Sequence, residues 1–183
     1  LALSLLDKVG SRESVGLVNL VCTQVRAYVE PLQATLQYYN DGYSAAMASG
    51  ELYDATLNTF GHLSSSHFCG SNLFKVSTLC NNFIRLTSER KQLILMVQAQ
   101  QVQPSLSMVI GTAEEPTYSS EGRDILASNS SVLRSCHYQK AYSSFIFRSY
   151  LDMKESIEKY FAIQVDSWAN LFVAHSIQSF HSG

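Results

Sequence analysis

The sequence predicts an all-α protein in which antiparallel helical hairpins stack into an α-solenoid. Its 183 residues include only 3 Pro and 9 Gly, which is too little turn punctuation for an all-β sandwich. Hydrophobic residues make up 46% of the chain and recur at helical spacing in successive segments joined by short turns. Short helices in this arrangement are typical of stacked hairpins, in which each pair buries its apolar face against its neighbours.

Three helices are predicted in the first fifty residues. Residues 1–9 form the first, so the chain begins inside a helix. We therefore expect this sequence to be a fragment of a longer protein. Residues 11–29 form the second, with Ser11 as N-cap; their β-branched side chains make a strand the alternative, but the run exceeds the usual strand length. The third starts with Pro31 in its first turn and ends at Gly50. Its predicted apolar face consists of Leu32, Leu36, Tyr39, Tyr43 and Ala46 or Met47.

Three more helices are predicted before a long irregular stretch. Residues 51–66 form a hairpin with the preceding helix, and residues 73–86 carry a clear apolar stripe. A further helix runs from about residue 89 to Pro104, beyond which residues 106–110 lead into a loop. Residues 111–123 are rich in Gly, Ser, Thr and Pro, and we expect a break between helical layers there.

The last third of the chain is predicted to hold three helices. They cover residues 132–148, residues 153–161 with charges mostly on one side, and residues 166–180, for which Asp166 is a suitable N-cap. We therefore interpret residues 1–183 as a single helical-repeat segment with a candidate break at 111–123.

The composition argues against several classes of function. With 13 Lys and Arg against 15 Asp and Glu, the net charge is -2, which disfavours a nucleic-acid partner. No uncharged apolar run approaches the roughly 18 residues that a membrane span needs. The four cysteines show neither a CxxC pair nor the spacing of a disulfide framework, and we interpret them as buried thiols in a reducing compartment. A cytoplasmic location is expected. The cysteines are Cys22, Cys69, Cys80 and Cys136.

Two stretches fit the tetratricopeptide pattern of helix, turn and small residue. In residues 41–55, Ala46 and Ala55 are small enough to let helices approach closely, and Gly50 makes the turn between them. Residues 145–156 repeat the arrangement with Ser156 in place of the usual Ala. The predicted solenoid is therefore tetratricopeptide-like.

The order of several segments resembles a known family. The segments are LALSLLDKVGSRESVGLVNLV at residues 1–21, EPLQATLQYYNDGYSAAMASGELYDATLN at 30–58, SFIFRSYLDMKESIEKYF at 144–161 and FHSG at 180–183. Together they resemble the helical region that follows the AAA-type nucleotide-binding module of very large signalling ATPases, which are fused to kinase, GAF, histidine kinase or cyclase domains. Residues 70–92 and 111–123 match this family only loosely. The resemblance implies a tetratricopeptide-like domain.

The resemblance does not extend to the catalytic parts of such proteins. The sequence contains no GxxxxGK[ST] phosphate-binding loop, and no GxGxxG, HRD or DFG kinase signature. We therefore expect no enzymatic activity, no catalytic residue, no cofactor and no metal in this segment.

Three clusters of side chains contain groups that could bind a metal or catalyse a reaction, but a structural role explains each of them better. His62, His67 and Cys69 offer metal-ligand types, but their spacing does not share one helix face and no fourth ligand is near. The adjacent Cys136 and His137 point about 100° apart on a helix, too far for a thiol-imidazole hydrogen bond. The acidic residues of the 111–123 stretch, which are Glu114, Glu115 and Glu121, lack any sign of a pocket and are expected to be solvated.

Other polar and aromatic groups suggest binding rather than catalysis. Residues 64–66 and 128–131 are serine-rich without a GxSxG elbow, so helix termini explain them best; residues 129–131 form a formal glycosylation sequon. The tyrosines Tyr38, Tyr39, Tyr43 and Tyr53 are suited to a concave peptide-binding face, although core packing accounts for at least two of them. The glutamines Gln98, Gln100, Gln101 and Gln103 form either a partner-binding row or, as we favour, a polar helix face.

The sequence thus predicts a non-catalytic helical-repeat scaffold that mediates protein-protein or interdomain regulation within a large ATP-dependent signalling protein. Its partners are a protein, a peptide or neighbouring domains of the same chain. A purely structural helical spacer is the first alternative, and a small metal-binding or enzymatic helical bundle using His62, His67 and Cys69 is the second.

Overall fold

The computed structural model describes Ser4 and residues 14–111 and 118–164. Within these residues the chain forms eight α-helices and no β-strand, so the predicted all-α class is confirmed. None of the described helices is both long and apolar enough to cross a membrane. The helices predicted over residues 1–9 and 166–180 lie outside the described residues, apart from Ser4. The helices are α1 (Val15–Arg26), α2 (Leu32–Ser49), α3 (Leu52–Phe68), α4 (Leu73–Glu89), α5 (Leu93–Ile110), α6 (Ser120–Ser128), α7 (Ser130–Ile146) and α8 (Tyr150–Ala162).

The chain divides into two compact units, Leu1–Asn72 and Leu73–Gly183. The first unit contains α1, α2 and α3, and the second contains α4 to α8. Each unit has its own buried residues.

In the first unit, α1, α2 and α3 contact one another through small residues. Ala46 of α2 and Ala55 of α3 are completely buried. Gly16 of α1 lies so close to α2 that an added Cβ atom would come within 2.5 Å of Cβ of Ala46. The side-chain amide of Asn58 ties α3 to α1 by donating to the carbonyl oxygen of Gly16 at 3.0 Å. Close backbone approach therefore holds this unit together.

The buried face of α2 is rotated from the one that the sequence predicted. Of the predicted residues, Tyr39 and Ala46 are buried, whereas Tyr43 is exposed and so is Met47, the alternative to Ala46. The physical reason is that the neighbouring helices approach α2 where its side chains are smallest. The small or polar residues on that side are therefore buried, and the larger apolar residues next to them in the sequence are exposed. The residues that α2 buries are Thr35, Tyr39, Gly42 and Ala46.

The residues predicted to begin and end α2 do so in the structure, with one difference. Pro31 occupies the N-cap position, with ψ of 138°, and not the first turn, so the first helical residue is Leu32. Gly50 ends the helix in the left-handed conformation with φ of 79°, which a residue without a Cβ adopts at low cost.

In the second unit, α5 is the central helix. It packs against α4, α6 and α7, and α8 packs on α7. Because it has neighbours on several sides, α5 buries residues around most of its circumference. These residues are Leu95, Met96, Val97, Ala99, Gln101, Val102, Ser105, Leu106 and Ser107.

The prediction that α5 ends at Pro104 is wrong. The helix continues through Pro104 to Ile110 although a proline ring removes one backbone hydrogen bond. Val102 and Leu106 are buried on either side of the proline, so tertiary packing outweighs the local cost of the break. Gly111 then ends α5 with φ of 87°.

The irregular stretch predicted at 111–123 ends earlier in the structure, at residue 119. Helix α6 begins at Ser120, because the hydroxyl oxygen of Ser119 caps it by accepting from the backbone N–H of Gly122 at 3.1 Å. In the same way, Asn129 caps α7 by accepting from the N–H of Val132 at 3.1 Å. The Ser- and Asn-rich segment around residue 129 therefore separates two helices, as a helix-terminus role requires.

Candidate functional site

An open groove in the second unit is the candidate functional site. It has a volume of about 720 Å³ and is lined by α4, α5 and the start of α6. Its apolar floor consists of Ile84, Leu93 and Met96. Met96 is buried in the core cluster with Val97 and Val132, and Ile84 and Leu93 pack against that cluster. The floor is thus continuous with the packed interior of the unit, which holds the groove in a fixed shape.

The turn between α4 and α5 forms one end of the groove. Lys91 adopts the left-handed conformation with φ of 54°, and the next N–H, from Gln92, donates to the carbonyl oxygen of Thr87 at 2.8 Å. This is the hydrogen bond of a helix C-terminal motif, normally made with glycine at the left-handed position. It brings the exposed side chain of Lys91 to the rim of the groove.

Amide side chains lie along α4 and α5 beside the floor. Gln103 Nε2 donates to Asn81 Oδ1 at 3.1 Å and so links the two helices. Asn81 and Gln100 line the groove itself. Gln101 is buried on another side of α5, where its Nε2 donates to the carbonyl oxygen of Val132 on α7 at 3.1 Å. The glutamine row is therefore not a solvated polar face, as the sequence suggested, because two of its members connect helices.

Charged side chains of both signs surround the opening. Arg85 Nη1 pairs with Glu89 Oε1 at 2.9 Å on the exposed side of α4. On the α6 side, Glu121 lies in the first helical turn, where a backbone N–H and the hydroxyls of Ser119 and Ser120 lower the pKa of its carboxyl group. The rim is close to neutral overall, since Lys91 balances Glu121 and the arginine is paired within its own helix.

The groove combines apolar and amide side chains. Its apolar floor accepts an aliphatic or aromatic side chain, while the amides of Asn81 and Gln100 offer both donors and acceptors to a peptide backbone. Its lining also includes the hydroxyls of Ser88 and Ser119 and the carboxylates of Glu89 and Glu121.

The His62, His67 and Cys69 cluster does not form a metal site. Among the described residues, no group of three His, Cys, Asp or Glu side chains is placed to hold an ion. His67 is buried at the end of α3, and burial lowers its pKa to about 4. Cys69 lies near Ser71, with 3.4 Å between Sγ and Oγ.

Cys136 and His137 have the properties of structural residues. Cys136 is buried, and burial raises the pKa of its thiol, which is the opposite of what a nucleophile requires. Burial and the nearby cations Lys140 and Lys159 lower the pKa of His137. Of the acidic candidates, Glu114 and Glu115 lie outside the described residues.

The four tyrosines are distributed over different environments in the first unit. Tyr39 is buried, and its hydroxyl accepts from Gln24 Nε2 at 2.8 Å. The guanidinium of Arg26 lies over the ring of Tyr38, 4.3 Å from its centre. Only Tyr43 and Tyr53 of the four are exposed. Internal packing thus accounts for Tyr38 and Tyr39.

Sequence reasoning missed the groove because it is formed by parts of three helices. Ile84, Leu93 and Met96 fall within predicted helices and Ser119 within the predicted irregular stretch, and no local pattern brings these four residues together. One available signal was the pair of apolar positions Ile84 and Leu93 on either side of the polar turn at residues 90–92.

Comparisons of the chain with protein-family models, with curated proteins and with solved structures found no match.

Proposed function

We propose that this chain is a non-catalytic helical-repeat scaffold of a larger ATP-dependent signalling protein, and that it binds a protein or peptide segment in the groove of its second unit. The observation that carries the proposal is the groove itself: a fixed apolar floor of Ile84, Leu93 and Met96 beside the amides of Asn81 and Gln100. Helical-repeat proteins bind extended segments in this way, with apolar pockets and amide side chains.

The pattern of helix contacts supports a tetratricopeptide-like solenoid. In the second unit, the substantial contacts among the described helices join those one or two positions apart in the chain, such as α5 with α6 and α7, and none joins α4 to α8. Contacts of this local kind are characteristic of repeat proteins, whereas a closed bundle also joins its first helix to its last. The buried small residues Ala46 and Ala55 are consistent with the same architecture.

Placement in a signalling ATPase is supported only by the resemblance of residues 1–21, 30–58, 144–161 and 180–183. It is tested by the reading frame that surrounds this sequence in its transcript. A GxxxxGK[ST] motif between a strand and a helix, a few hundred residues upstream, supports the placement. A transcript that encodes only these helices, without a nucleotide-binding module, contradicts it and leaves the groove proposal standing.

Peptide binding is tested by selecting peptides from a random displayed library against the complete chain and measuring their affinity by fluorescence polarisation. The decisive variant is Ser88→Trp, because Ser88 is exposed at the groove and an indole there fills the opening without entering the core. We expect it to weaken binding at least about tenfold, the equivalent of roughly 1.4 kcal/mol.

The matched control is Ser44→Trp, which places the same side chain at an exposed position of α2 in the first unit. It is expected to leave affinity unchanged. Selected peptides that bind equally to both variants would show that the groove is not the site. If selection yields no peptide at all, the structural-spacer alternative is favoured.

A further inference from the structure

The turn between α7 and α8 carries a concentration of exposed apolar side chains. Five of its large apolar residues are between 39% and 85% exposed, and they fall within seven consecutive positions. Most exposed apolar residues of a protein occur singly and need no explanation, whereas a contiguous group marks a surface that binds something. The five residues, called the apolar tip below, are Phe145, Ile146, Phe147, Tyr150 and Leu151.

The backbone of the apolar tip is hydrogen-bonded within the hairpin. The N–H groups of Phe147, Arg148 and Ser149 donate to the carbonyl oxygens at the end of α7, at 3.0, 3.1 and 2.8 Å. Arg148 allows this closure by adopting a left-handed conformation with φ of 58°. A backbone whose donors are paired internally can enter an apolar medium without the cost of unpaired polar groups.

The charged side chains near the tip differ in whether they form ion pairs. On α8, Lys154 pairs with Glu158 and Lys159 pairs with Glu155, so these charges are matched within their own helix. The carboxylate of Asp152 accepts from the hydroxyl of Ser149. The exposed guanidinium of Arg148, by contrast, forms no ion pair within the described part of the chain.

From these observations we infer that the apolar tip inserts into a phospholipid surface, with Arg148 contacting the headgroup phosphates. Phenyl and phenol rings are favoured at the boundary between headgroups and acyl chains, and a guanidinium matches the geometry of a phosphate. A hairpin turn projects its side chains outward. A protein partner must therefore offer a matching cavity, whereas a lipid layer adapts to the shape of the tip.

The test is co-sedimentation of the complete chain with vesicles of phosphatidylcholine and with vesicles of equal parts phosphatidylcholine and phosphatidylserine. The decisive variant combines Phe145→Ser with Leu151→Ser, at positions 61% and 85% exposed. Each substitution removes an apolar side chain that is exposed in the free chain and would be buried in the lipid layer. We therefore expect the coefficient for partitioning of the chain onto vesicles to fall at least about tenfold. Arg148→Glu is expected to weaken binding to both vesicles, and most to those that contain phosphatidylserine.

The control combines Phe74→Ser with Ile94→Ser, at positions 69% and 47% exposed on α4 and α5, and should bind vesicles as the parent does. Equal losses in both double variants would mean that general hydrophobicity, and not the tip, drives binding. Absence of binding by the parent chain overturns the inference. It is overturned equally if sedimentation equilibrium shows a dimer that only the tip variant abolishes, since the tip then binds a second copy.

Discussion

The backbone of Gly61 on α3 lies directly against the ring of Tyr39 on α2. A Cβ atom built on Gly61 would come within 2.8 Å of Cδ1 of that ring and closer still to Cε1. Tyr39 is held in place by burial and by the hydrogen bond from Gln24 Nε2 to its hydroxyl. The contact between α2 and α3 therefore depends on the absence of a side chain at position 61.

The first prediction is that Gly61→Ala destabilises the chain by roughly 1–3 kcal/mol, the usual cost of overpacking a core, despite the higher helix propensity of alanine. Urea unfolding followed by circular dichroism measures the change. In a Tyr39→Ala background the ring is missing, so Gly61→Ala should no longer destabilise. Equal costs in both backgrounds would show that the two residues are not coupled. The exposed substitution Ser44→Ala on α2 serves as a control and should change stability by less than about 0.5 kcal/mol.

The second prediction concerns the turn that ends α4. Lys91 has φ of 54°, a conformation that costs an ordinary L-residue roughly 1–2 kcal/mol, whereas glycine adopts it freely. Lys91→Gly is expected to raise the free energy of unfolding by about 0.5–1 kcal/mol after allowance for the greater flexibility of glycine in the unfolded chain. Lys91→Ala is the control, because alanine keeps the Cβ atom, and it should give no such gain. Chemical denaturation of the two variants decides between them.

The all-α class and most helix ends could be predicted from the sequence because they depend on local features. Gly50 ends α2 by adopting a positive φ, and the Glu30-Pro31 step separates α1 from α2. The end predicted at Pro104 was wrong because burial of residues on both sides of the proline, a tertiary effect, overrides the local cost.

The buried faces and the groove were less accessible to sequence reasoning. The core face of α2 is set by where its neighbours approach Gly42 and Ala46, which hydrophobicity does not reveal. The groove needs Ile84, Met96 and Ser119 from three different helices or their ends, and their proximity exists only in the folded chain.

The third prediction distinguishes the four cysteines, which the sequence suggested were all buried. Cys80 is completely buried, its thiol lies 3.4 Å from the carbonyl oxygen of Ala99, and burial raises its pKa to about 12. Cys136 is also buried, whereas Cys22 and Cys69 are partly exposed. In the folded chain at pH 8, we expect a thiol reagent to modify Cys22 and Cys69 and to leave Cys80 and Cys136 unmodified, because the thiolate is the reactive form.

Peptide mapping by mass spectrometry after a short reaction identifies the modified positions. The same reaction in urea should modify all four thiols, which controls for intrinsic reactivity. Rapid modification of Cys80 under native conditions would contradict the buried position of α4 against α5.

The fourth prediction is a loss of stability in mild acid caused by His67. Burial lowers the pKa of His67 from 6.5 to about 4, so between these values the unfolded chain binds a proton that the folded chain does not. Stability is therefore full above pH 6.5 and falls as the pH decreases toward 4, by at most about 1.4 kcal/mol per pH unit from this residue. His62 and His137 also have lowered pKa values and act in the same direction.

The measurement is the free energy of unfolding at several pH values between 7.5 and 4.5 for the parent chain and for His67→Gln, which has no titrating ring. The variant should lose less stability over this interval than the parent, whatever its stability at pH 7.5. His137→Gln is the comparison, because its ring is more exposed than that of His67 and should contribute less to the slope. Parallel pH profiles for the parent and His67→Gln would mean that His67 is accessible to protons in the folded chain, and hence that the end of α3 is not closed around it.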